Sequence, residues 1–110
     1  SLSSGGLTVS VAGTYMFMYE VTAEMGTTER TDGIVKFQKK PSGGSFSDVD
    51  GTLSGTYSRT SSADNTTACA SAILTVTAND VYRVVMARTA GSDQLQAFAK
   101  GCRLTVFRIA

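Results

Sequence analysis

The chain has 110 residues, 42% apolar and 17% charged, with a formal net charge of +1. That suffices for one domain with one core; it is too apolar for a disordered chain and too interrupted for a spanning helix. The near-neutral charge supplies no field toward nucleic acid or an anionic membrane, and the densest basic group, Lys36, Lys39 and Lys40, reads as a solvated strand end.

Taken in chain order, Ser1–Gly6 has neither the basic start nor the apolar stretch of a signal peptide and reads as a flexible N-terminal arm. A small first residue fits a whole cytosolic protein that has lost its initiator methionine; a fragment trimmed from a longer fibre would look the same. Residues 7–110 read as one domain. Leu7, Val9 and Val11 alternate with polar residues as a strand, interrupted at Ala12-Gly13. A long strand follows over Gly13–Ala23. Asp32-Gly33 signals a turn before a strand over Ile34–Lys40. The one proline, Pro41, opens a break through Gly44, and Asp50-Gly51 signals another turn. Thr52–Arg59 reads as a strand and Ser61–Asn65 as a polar loop. Cys69–Thr77 is a strand ended by Asn79-Asp80, with Val81–Thr89 as its hairpin partner. After a loop at Ala90–Asp93, Leu95–Phe98 and Arg103–Ile109 make the last strand region, bent at Gly101. Seven or eight short strands with turns every ~8–12 residues predict an antiparallel β-sandwich or barrel.

Catalytic chemistry is hard to find. There is no histidine, so the usual general base and commonest metal ligand are missing. Pro41–Ser45 resembles a phosphate loop only in its glycines. Cys69 and Cys102 are too far apart in sequence for a zinc motif and read as two buried small apolar residues, with a disulfide as the alternative. Asp48 and Asp50 have oxygens for calcium but read as a solvated turn. Asn65-Thr66-Thr67 fits a glycosylation sequon and reads as polar loop. The expectation is a non-enzyme without cofactor or metal.

Several strands are apolar on both faces. Tyr15, Phe17, Tyr19 and Val21 share one face of their strand, and Met16 and Met18 lie on the other. Leu104 and Val106 oppose Phe107 and Ile109, and Val81 and Val85 oppose Tyr82, Val84 and Met86. A two-layer sandwich buries one face of each sheet, so the second apolar face must meet another chain or a covering loop. With little loop to spare, self-association is the expectation. Met16, Met18, Tyr82, Val84, Met86, Phe107 and Ile109 are the set for a trimer interface or core. Tyr15, Phe17, Val21, Leu104 and Val106 are the set for the sandwich core.

Three elements resemble the tumour necrosis factor and complement globular-head superfamily. Leu7-Thr8-Val9 followed by Gly13-x-Tyr15-x-Phe17 is similar to the family's Gly-x-Tyr-x-Phe strand. Ala70–Val81 resembles its small-residue strand, turn and next strand, with Asn79-Asp80 where Gly-Asp usually stands. Gly101–Ile109 resembles its closing strand. The match runs from about Leu7 to Ile109, and each motif is short and degenerate. Phe98 lies three residues before Gly101 where the family usually has two, and the family's first strand has almost no room here. The resemblance implies a TNF-like jelly roll packed as a compact homotrimer, with a sheet edge left for a neighbouring subunit or another protein to complete.

The function this implies is structural. A jelly roll without a leader resembles the decoration or cement proteins of tailed bacteriophages, made in the host cytoplasm. On the virion surface such trimers bind the major capsid protein and stabilise the shell. The alternative is the receptor-binding head of a tail fibre or spike, contacting a host receptor or glycan for host attachment through Ser42–Val49 and Arg59–Thr66. A secreted ligand head is the third reading. Neither nucleic acid nor membrane insertion is expected.

Overall fold

A computed structural model describes residues 2–3, 5–25, 31–58, 65–91, 95–97 and 99–110. The described chain is all-β: β1 (Leu2–Ser3), β2 (Gly6–Val9), β3 (Gly13–Met25), β4 (Thr31–Lys40), β5 (Ser47–Asp48), β6 (Ser54–Ser58), β7 (Asn65–Val76), β8 (Asp80–Gly91), β9 (Leu95–Ala97) and β10 (Arg103–Arg108), with one 3₁₀ turn at Ala99–Gly101. All pairings are antiparallel. One sheet runs β1-β2-β8-β4-β5, with β6 also on β4; the other runs β10-β3-β7, with β9 also on β3. We call these sheet A and sheet B.

The core lies between the sheets, and strand alternation explains its membership. The odd positions of β3 turn inward, burying Phe17, Tyr19, Val21 and Ala23. Val35 and Phe37 of β4 and Tyr82 of β8 meet them from sheet A, with Val84 and Met86 packed against the cluster. Phe17 centres an aromatic group: its ring lies 4.5 Å from Tyr82 and 5.8 Å, edge-on, from Phe37. Buried polar side chains fasten the margins. Thr52 is fully buried; its Oγ1 donates to the Val49 carbonyl at 2.7 Å and accepts the Phe37 N–H at 3.1 Å. Asp80, 2% exposed, accepts the Thr77 N–H at 3.0 Å and pairs with Lys39 Nζ at 3.1 Å.

Several expectations are corrected. Asp32-Gly33 is not a turn but lies inside β4, at a bulge where Asp32 faces Ala90 and Gly33 faces Arg88. Glycine is needed there for space: a Cβ would stand 2.5 Å from Leu95 Cδ2 and 2.6 Å from Thr56 Oγ1. β7 and β8 are consecutive but form no hairpin, since β7 pairs with β3 in sheet B while β8 pairs with β2 and β4 in sheet A. The turn between them causes the crossing. Asn79, at φ 71°, donates its N–H to the Val9 carbonyl at 2.7 Å, which delivers β8 to β2. Within the arm, Leu2 and Ser3 pair with Leu7 and Gly6. β7 begins at Asn65, earlier than expected, and β8 runs on to Gly91. Gly101 lies in the 3₁₀ turn that separates β9 from β10. The polar loop over Ser61–Asp64 and the position of Phe98 lie outside the described residues.

Candidate interaction surface

The two sheets treat their outer faces differently. On sheet A, half-buried Val81, Val85 and Ile34 share the face with Lys36, Gln38 and Arg83. Phe46, from the segment after β4, lies against it. Arg83 places its guanidinium 3.8 Å from the centre of the Phe46 ring and donates to Gln38 Oε1 at 2.9 Å. Lys36 and Gln38 both donate to the Asp48 carboxylate, at 2.6 and 2.9 Å, and hold it below the usual carboxylate range. Asp48 is thus occupied by side chains of its own chain. Among the described residues no three metal-ligating side chains gather at one place.

Sheet B has no such cover among the described residues. Its outer face is built in rows across β10, β3 and β7: Phe107–Met16–Ile73, then Thr105–Met18–Ser71, then Arg103–Glu20–Cys69. Ile109, just beyond β10 and two residues along the chain from Phe107, lies opposite Thr14, to whose carbonyl its N–H donates at 2.7 Å. Ile73 is 62% exposed, Ile109 50%, Phe107 49% and Met18 37%. Large apolar side chains on one flat face, at these exposures, are the signature of an interface. The character changes along the strands. Below Met18 the rows turn polar, with Arg103 Nη2 donating to Glu20 Oε2 at 2.9 Å and Thr22 and Thr67 hydroxyls 2.9 Å apart.

The set of residues expected at a trimer interface or core therefore divides. Met16, Met18, Phe107 and Ile109 come together on or beside the outer face of sheet B. Tyr82, 1% exposed, belongs to the sandwich core, and Val84 and Met86 pack against it. Of the set expected in the core, Phe17 and Val21 are buried there, and Tyr15 and Val106 pack against it. Leu104 is the exception at 40% exposed. It belongs to edge strand β10, where the sandwich gapes toward β2. There Leu7, Val21, Tyr82, Val84 and Leu104 line an apolar cleft of about 240 Å³.

The cysteines also depart from expectation: both are exposed rather than buried. Ile73 was missed, although it stands two residues from Ser71 and Thr75 in an otherwise small and polar outer row. Of the two loops expected at a receptor tip, Ser42–Val49 is exposed except at Phe46 and Val49, while residues 59–64 lie outside those described. Thr66 is in β7, donating to the Tyr57 carbonyl at 2.6 Å. No protein-family model matches the chain, and no curated protein matches it.

Proposed function

We propose that this is a non-enzymatic structural protein of a virion, a TNF-like jelly roll that packs as a homotrimer through the outer face of sheet B. In this reading the trimer sits on a phage capsid and reinforces it by binding the major capsid protein. The observation that carries self-association is the uncovered apolar band of Phe107, Met16, Ile73 and Met18. Three of the four strands of the sheet that carries the band, β3, β7 and β10, lie in the resembling elements.

Static light scattering tests the oligomer. The expected mass is near three times 11.5 kDa. Ile73→Asp and Phe107→Asp would each place a charge in the buried interface and reduce the mass to that of one chain. Both side chains are about half exposed or more in the single chain, so its β-sheet circular dichroism should persist. A wild-type monomer would refute the trimer. Co-sedimentation with shells of the major capsid protein encoded in the same genome tests the role on the virion; binding to host cells instead would favour an attachment head.

A further inference from the structure

The cleft between β2 and β10 is flanked by two sheet edges of unlike kind. On sheet A, the edge of β2 is taken by β1, which pairs with it at Gly6 and Leu7. On sheet B, β10 pairs with β3 and, among the described residues, with no other strand. The direction of its free groups follows from the register. Ile109 lies opposite Thr14 and donates its N–H to the Thr14 carbonyl. Hydrogen-bonding direction alternates along an antiparallel strand, so Phe107, Thr105 and Arg103 also turn their N–H and C=O groups to β3. Leu104, Val106 and Arg108 turn theirs outward, off the edge of the sheet.

The side chains of the strand decide what that edge can accept. Val106 packs against the core, and Leu104 lines the cleft with Leu7, Val21, Tyr82 and Val84. A strand laid along β10 would carry its own alternate side chains onto that apolar side, because residues opposite each other share a face. Leu104, 40% exposed, has open space there for a neighbour to fill. The ends of the edge are basic. Arg103 and Arg108 stand at the two ends of β10, and Lys100 lies just before it. Of these, Arg103 pairs with Glu20 at 2.9 Å, which leaves a surplus of positive charge. A second copy added antiparallel would bring Arg103 of one chain toward Arg108 of the other at both ends of the seam. Like charges of this kind keep identical edges apart and favour a strand of opposite charge.

We propose that β10 is a docking edge for an extended segment of another protein, added as a further strand of sheet B, with apolar residues at alternate positions filling the cleft and acidic residues at its ends. Main-chain hydrogen bonds to Leu104, Val106 and Arg108 hold the segment, the cleft selects its apolar side chains, and the cations select its ends. The site uses the edge and the inner side of sheet B. It therefore does not rest on the trimer, which uses the outer face.

The probe is a capped, fluorescently labelled peptide in which valine and threonine alternate between aspartate ends, titrated with the full chain and followed by anisotropy. It should bind, and the same peptide with lysine ends should bind about tenfold more weakly at low salt. Amide hydrogen exchange read by NMR gives the register. The peptide should slow exchange at Leu104, Val106 and Arg108 and leave Arg103, Thr105 and Phe107 as they were. Leu104→Pro removes an outward N–H and a cleft side chain while sparing the bonds to β3, so it should abolish binding with the β-sheet circular dichroism retained. Should that variant unfold, the exchange pattern on the unaltered chain still decides. No binding of the aspartate-ended peptide, equal binding of the lysine-ended one, or binding without protection at the three outward amides would each overturn the proposal. Protection of those amides in the chain alone, lost on dilution, would show the edge taken by a second copy and would overturn it too. A monomer by light scattering that binds the peptide as expected would refute the trimer and uphold the docking edge.

Discussion

Tyr19 and Tyr82 are both 1% exposed and both pack in the aromatic group of the core, but their hydroxyls differ. Tyr19 shares its one proton between the Val35 carbonyl at 2.9 Å and the Thr52 carbonyl at 2.6 Å. The Tyr82 hydroxyl is buried and has no hydrogen-bond partner among the described residues. The same substitution should therefore act in opposite directions. Tyr19→Phe removes a satisfied donor and strands two buried acceptors, for a loss of about 1–3 kcal/mol. Tyr82→Phe removes an unpaired buried hydroxyl whose desolvation costs about 1–3 kcal/mol. Against that gain stands a void of one oxygen atom, so the net expectation is a stabilisation of about 1 kcal/mol. Urea unfolding followed by circular dichroism reads both. Protein concentration must be held constant, because association adds to apparent stability. In a domain of this size about 1 kcal/mol also moves the thermal midpoint by roughly 4 °C. If Tyr82→Phe destabilises as much as Tyr19→Phe, the hydroxyl of Tyr82 is satisfied and the reasoning fails.

Phe17→Ala should cost about 3–5 kcal/mol, since Phe17 is fully buried between Phe37 and Tyr82 and the cavity left behind collapses only in part; chemical denaturation measures it, and a loss below about 1 kcal/mol would mean the facing of β3 is wrong. Stability should also fall in alkali. Burial pushes both Tyr19 and Tyr82 up from 10.0 to about 12, with Cys69 and Asp80 adding to the respective shifts. Between pH 10 and 12 the unfolded chain ionises these phenols and the folded one does not. Their contribution is thus fully present below pH 10 and lost as pH rises through 12, by about 1.4 kcal/mol per unit for each tyrosine. Unfolding midpoints across pH 9–12 check the slope, and Tyr82→Phe should halve it.

The all-β class, most strand positions and the division of the β3 side chains between two faces were legible in the sequence because they depend on local alternation, whereas parity does not say which face turns inward. In a strand, parity alone decides which side chains share a face, so Tyr15, Phe17, Tyr19 and Val21 fall together wherever the strand is placed. Turn chemistry was legible at Asp50-Gly51 and Asn79-Asp80 for the same reason: a left-handed φ is a local demand, and Gly51 and Asn79 meet it. The identical signal at Asp32-Gly33 misled. There the glycine answers to Leu95 and Thr56, which are distant in sequence.

Only the tertiary structure decided which sheet each strand joins. Asn79 does not reveal that its N–H will find Val9, yet that contact carries β8 to sheet A and turns Tyr82, Val84 and Met86 inward. Nor does parity reveal that the two sheets differ outside. Sheet A has the Phe46 ring against Arg83 on its outer face, and sheet B is not covered by any described residue. Two strands with equally apolar second faces can thus meet opposite fates, because burial is a property of what arrives over a face, and that is settled by contacts across long stretches of chain.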